Sequence, residues 1–137
     1  MTKKILIIDA DYGRSSTMAD LLRNRDREVF TAATQEQVIS RTKGNIFNII
    51  ILDPLMSSAA LIHDPKRSED FETGWVGREI LLDLERGAFS SYSKQPKILL
   101  LSKIDHIILT QTGFSPDIPY LPKPQLAPAI VQAVESL

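Results

Sequence analysis

The residues of this 137-residue chain that could do chemistry fall just past short apolar runs. Ile5-Leu-Ile-Ile8 is followed by Asp9, Ile49-Ile-Ile-Leu52 by Asp53, and Ile98-Leu-Leu-Leu101 by Ser102, while Lys123 follows Tyr120-Leu-Pro122. Two carboxylates, a hydroxyl and an ammonium suit a divalent oxyphilic cation together with a phosphoryl group. The carboxylates would hold the cation, and Lys123 and Ser102 would neutralise and hydrogen-bond the phosphoryl oxygens. A cation is called for because two anions brought together otherwise repel. Taken singly, each residue has an ordinary reading: Asp9 as a helix cap, Asp53 as a turn residue before Pro54, Ser102 and Lys123 as polar surface groups, Tyr120 as a half-buried strand residue. Their shared position at strand ends is the argument for a site.

The elements that must position them are legible as pattern. The three apolar runs are continuous instead of alternating, which suits strands covered on both faces of a parallel sheet. Weaker strands are expected at Glu28 to Ala32 and Ile118 to Leu121. Helical spacing recurs in Met18, Leu21 and Leu22, again in Val76, Ile80, Leu81 and Leu84, and most clearly from Leu126 through Ala129, Ile130, Ala133 and Val134 to Leu137. Two further helices are expected near Gln35 to Thr42 and Ile104 to Thr112. Strand and helix thus alternate five times, which predicts an α/β fold with a five-stranded parallel sheet and helices on both faces through right-handed crossovers. All carboxyl ends would then lie along one edge, in the crevice where open α/β sheets bind ligands. The stretch from Pro54 to Thr73 breaks the rhythm, because a βα loop is normally ~2–6 residues. It is expected to be a solvated insertion with one helical turn at Ser58 to Ile62 and an exposed His63.

Composition excludes several functions. Sixteen Lys+Arg against seventeen Asp+Glu give a net charge of −1, without the basic excess of a nucleic-acid binder. With 43% hydrophobic and 24% charged residues the chain reads as an ordinary globular domain. No cysteine is present, so disulfides, thiolate metal sites and a cysteine nucleophile are ruled out. The run ending at Asp9 is too short for a signal-peptide core, and no segment approaches the ~20 apolar residues of a membrane span. A cytoplasmic location is therefore expected. No phosphate-cradling glycine motif follows the first strand, and the Arg23-Asn-Arg-Asp-Arg27 cluster is expected to be the solvated end of a helix.

In order and spacing these residues resemble the receiver domains of two-component response regulators, the CheY-like family. Ile51-Leu-Asp53 resembles the segment with the phosphoacceptor aspartate, and Met56 a methionine common three residues later. Gly74 resembles the family's glycine before the third helix, displaced by the insertion. Pro96-Lys-Ile-Leu-Leu-Leu-Ser102 resembles the fourth strand with its hydroxyl, and Tyr120-Leu-Pro-Lys123-Pro124 the fifth, with a switch aromatic three residues before the lysine. The resemblance implies a flavodoxin-like, doubly wound sheet of order 2-1-3-4-5 and a cis Lys123–Pro124 bond. It implies one receiver domain over residues 1–137, with an inserted loop at about 57–73 between the third strand and third helix. Asp53 would accept a phosphoryl group from a histidine kinase or phosphotransfer protein, assisted by Lys123 and Ser102. Mg2+ would be held by Asp9, Asp53 and the backbone carbonyl of Leu55. Ser102 and Tyr120 would then switch, remodelling a surface read by a downstream protein. Such a chain is not an enzyme beyond its own phosphorylation and dephosphorylation, and a homodimer through the last helix remains open.

Three departures weigh on this expectation. The family's usual pair of acids after the first strand reads Asp9-Ala10 here, so Mg2+ should bind weakly. Asp11, on the same side of an extended chain as Asp9, could replace the lost ligand directly or through water, although a cap of the first helix is the preferred reading. Pro54 follows Asp53 directly, and Ser57 stands where the family often has proline. The alternative function is accordingly a degenerate pseudo-receiver, an interaction module independent of phosphorylation. A more distant alternative is a haloacid-dehalogenase-type phosphatase opening on Asp9-Ala-Asp11, which lacks that family's closing acidic pair and leaves Asp53 idle.

Overall fold

The computed structural model describes residues 2–53, 95–111 and 114–137. Five strands, β1 (Lys3–Ile8), β2 (Arg27–Ala32), β3 (Ile49–Leu52), β4 (Lys97–Ser102) and β5 (Tyr120–Pro122), form one sheet of order β2-β1-β3-β4-β5. Every neighbouring pair is parallel. The described helices are α1 (Tyr12–Leu22), α2 (Gln35–Gly44), α3 (His106–Gln111) and α4 (Ala127–Glu135). The expected third-helix stripe from Val76 to Leu84, the 57–73 insertion with His63, and Met56 and Gly74 lie outside the described residues.

The continuous apolar runs are explained by two cores, one on each face. Side chains alternate along a strand, so Leu6 and Ile8, Ile50 and Leu52, and Leu100 face one core, which holds Val38 of α2 and Leu109 of α3. Ile5 and Ile7, Ile49 and Ile51, and Leu99 and Leu101 face the other, covered by Met18, Ala19 and Leu22 of α1 and Ile130 and Val134 of α4. Each such aliphatic side chain contributes roughly 1.5–3 kcal/mol by leaving water. A polar residue on either face would lose that term, which is why the runs Ile5–Ile8, Ile49–Leu52 and Ile98–Leu101 contain none.

The structure corrects the expected helix faces and strand bounds in three places. Leu21 is 51% exposed and Leu126 is 79% exposed. The inner face of α1 is Ser15, Met18, Ala19 and Leu22, a stripe closed by a small hydroxyl instead of Leu21. Leu126 is the N-cap residue of α4 and lies outside its first turn. β5 starts at Tyr120, not Ile118, because Ile118 N is engaged in a turn with Ser115 O while Leu100 N bonds Pro119 O. The Arg23–Arg27 cluster follows the end of α1 and residues 23–26 are exposed, as expected; within it Arg23 pairs with Asp20 and donates to Val29 O, and Arg27 donates to Leu22 O. The Lys123–Pro124 bond is cis.

Candidate functional site

Backbone bonds at the carboxyl edge place each charged residue. Asp9 N donates to Ala32 O of β2, Asp53 N to Ile8 O of β1, and Lys123 N to Ser102 O of β4. Each residue is thus pinned to its neighbouring strand one step beyond the regular ladder, where a side chain can leave the apolar core without leaving the sheet.

Three of the four expected side chains meet. Lys123 Nζ donates to Asp9 Oδ2 and to Asp53 Oδ2, both at 2.7 Å. The side chains of Lys123, Asp9 and Asp53 are only 4%, 6% and 13% exposed. Charges so far from water require close partners, and here one ammonium serves two carboxylates. Asp9 Oδ1 also accepts from Asp11 N at 2.9 Å, which fixes its carboxylate. Among the described residues no group of three or more acidic, histidine or cysteine side chains could hold a metal. Two carboxylates suffice for Mg2+, which commonly takes one or two of them and completes its shell with water and phosphate oxygens. The donor set therefore fits that ion.

Asp11 caps α1: its Oδ1 accepts from Arg14 N at 3.0 Å, and its other oxygen lies 3.7 Å from the Arg14 guanidinium. This is the preferred reading of the sequence, and among the described residues it leaves the Asp9–Asp53 pair without a third acid. Ala10 packs against the apolar core. Leu55, the expected carbonyl ligand, lies outside the described residues.

Ser102 is at the same edge and fully buried, but its hydroxyl accepts from Ile104 N at 3.0 Å in the turn leading to α3. Tyr120 packs against the core and its hydroxyl donates to Ile104 O. Burial, and then the charge of Asp105, pushes the Tyr120 phenol above its ordinary value of 10.0. The sequence reading missed His106. Its ring lies 4.8 Å from that of Tyr120 at an interplanar angle of 5°, a stack, and its Nε2 is buried without a hydrogen-bond partner among the described residues. Nothing in the spacing of His106 and Tyr120 signals this contact, because they belong to different elements.

No protein-family model matches the sequence, and no curated protein is similar to it. Solved structures are similar. The Vibrio cholerae chemotaxis protein CheY4 shares 17% identity at a TM-score of 0.72, with 99% of this chain and 98% of that one covered. The response regulator TrrA of Thermotoga maritima, in complex with Mg2+-BeF, shares 19% identity at a TM-score of 0.68, covering 98% of both chains. A CheY-like receiver domain protein of Methanospirillum hungatei shares 16% identity at a TM-score of 0.62, covering 99% of this chain and 93% of that one. Together with the strand order β2-β1-β3-β4-β5, these likenesses show that the chain has the fold of response regulator receiver domains.

Proposed function

We propose that the chain is a single receiver domain over residues 1–137 whose Asp53 accepts a phosphoryl group from a histidine kinase or phosphotransfer protein. The observation that carries this reading is the double contact of Lys123 Nζ with Asp9 and Asp53, 2.7 Å each, at the ligand-binding edge of the sheet. An Asp53 oxygen attacks the phosphorus of a phosphohistidine. The new P–O bond forms as the P–N bond breaks, and the imidazole nitrogen keeps the electron pair and takes a proton from water. Lys123 neutralises the oxygens that gain charge, which is the main service a protein gives phosphoryl transfer. Mg2+, held by Asp9 and Asp53, would supply further charge neutralisation between carboxylate and phosphoryl oxygens. Ser102 would exchange its Ile104 N contact for a phosphoryl oxygen, and Tyr120, bonded to the same turn, would report that exchange to the α3–β5–α4 surface. That surface would meet a downstream protein or a second copy in the cytoplasm.

Incubation with acetyl phosphate or phosphoramidate and Mg2+, followed by intact mass, tests the proposal. One added phosphoryl group on the wild type and none on Asp53→Asn supports it. An unlabelled wild type, under conditions that label an ordinary receiver, overturns it. A second reading, the phosphorylation-independent module, is favoured by one specific observation: Asp11 is committed to capping α1 while Ala10, half-buried, packs against the apolar core. Under that reading no saturable Mg2+ binding is expected at Asp53.

A further inference from the structure

Beside the carboxylate cluster, and touching it through Lys123, a cavity of about 560 Å3 opens between α1 and α4, bounded by the loop that joins β5 to α4. Its volume lies in the range of roughly 300–1,000 Å3 typical of small-molecule sites. Met18 and Ile130, on facing helices, and Leu101 of β4 line it, and all three are buried. Leu21, half exposed, stands among the same lining residues. This accounts for a large apolar side chain that the core of α1 does not use.

Among the described residues that line the cavity, the charged ones are Arg14, Lys103 and Lys123, with no Asp or Glu. This is a local excess of one sign in a chain whose net charge is −1. Lys123 is already satisfied by Asp9 and Asp53. Lys103 is exposed and has no ion pair among the described residues. Arg14 has only the long 3.7 Å contact to Asp11, with both side chains about half exposed, and such a pair is worth little. An apolar interior with two underused cations is complementary to an amphiphile with one negative end. We propose that this cavity binds a small molecule with an apolar body and an anionic headgroup. The body lies against Met18, Leu101 and Ile130, and the headgroup is met by Lys103 and Arg14. Neither Asp9 nor Asp53 lines the cavity, which meets the proposed phosphoryl site only at Lys123; the proposed binding itself uses Lys103 and Arg14 and needs no phosphoryl transfer.

The test is an NMR titration of the full chain with anilinonaphthalene sulfonate and, separately, with the neutral phenylnaphthylamine. The expected result is saturable one-site binding of the sulfonate, with amide shifts confined to Arg14–Leu22, Leu101–Lys103 and Gln125–Ile130. Its affinity should be about tenfold or more above that of the neutral amine, the difference an ion contact of ~1.4 kcal/mol would give. Lys103→Glu and Arg14→Glu, both at exposed positions, should each weaken the sulfonate several-fold and leave the neutral amine unchanged. Absence of saturable binding, shifts elsewhere on the chain, equal affinity for the two probes or no effect of either substitution overturns the proposal. So does binding to phosphatidylglycerol vesicles without binding to the monomeric sulfonate, which would make the surface a membrane contact.

Discussion

The Asp9–Asp53–Lys123 cluster and the Ser102–Tyr120–His106 cluster share one edge of the sheet, yet the first is held by buried charge and the second by ring stacking and neutral hydrogen bonds. The energies differ accordingly. Breaking a buried ion pair by removing one partner costs ~3–5 kcal/mol, whereas an aromatic stack adds ~0.5–1.5 kcal/mol and a neutral hydrogen bond about as much. The ionic cluster is therefore a fixed receptacle, while the aromatic one can rearrange at an energy that a single new contact to Ser102 could offset. The phosphoryl-accepting role proposed above would need both, side by side: a part that holds its shape and a part that does not.

The contrast can be broken most directly at its cation. Lys123→Ala should lower stability by about 3 kcal/mol or more, read from urea unfolding, because two nearly buried carboxylates lose their shared partner. Asp53→Asn leaves one carboxylate for one ammonium and should change stability far less. Comparable losses in both variants would mean that the cluster is not an unbalanced buried triad.

Ala10→Asp sharpens the ionic side. A further carboxylate ~4 Å from a cation is worth on the order of 4 kcal/mol per unit charge at an effective dielectric near 20, part of which is lost in placing it against the core that Ala10 now touches. Calorimetric titration should still show Mg2+ bound at least about tenfold more tightly. Unchanged affinity would place the ion somewhere other than Asp9 and Asp53.

On the aromatic side, His106→Ala should cost about 1 kcal/mol and alter the near-ultraviolet circular dichroism of Tyr120, while His106→Phe, which preserves a stacking ring, should restore both. Failure of the phenylalanine to rescue would show that the imidazole nitrogens, not the stack, matter. The smallest effect is pH-dependent. The folded Tyr120 has its pKa raised above 10.0, by burial first and Asp105 second, so the unfolded chain loses the phenolic proton at lower pH. Stability from this group is complete below that value and is lost as pH rises through the window above it. Subtracting the alkaline unfolding curve of Tyr120→Phe should isolate this slope, and a flat difference would contradict it.

How far these features were legible in the sequence depended on whether their cause was local. The strand cores were legible because a strand covered on both faces leaves no place for a polar side chain until it ends. For the same reason Asp9, Asp53 and Lys123 stood out. Helix faces were legible only to within one position: periodicity admits Leu21 as readily as Ser15, and neighbouring elements, not spacing, decided between them. The start of β5 depended on a turn between Ser115 and Ile118, and the anchoring of Arg23 and Arg27 on carbonyls brought close by folding.

By itself the sequence determined the alternation of strands and helices, the double-faced burial and the meeting of two carboxylates with one lysine at a common edge, because burial period and strand direction constrain these before any contact forms. Only the tertiary structure decided which way Ser102 turns, that His106 lies on Tyr120, and that a cavity with cations among its lining residues remains between α1 and α4. Those outcomes hang on side chains from separate elements competing for the same few ångströms, and that competition has no counterpart in the order of residues along the chain.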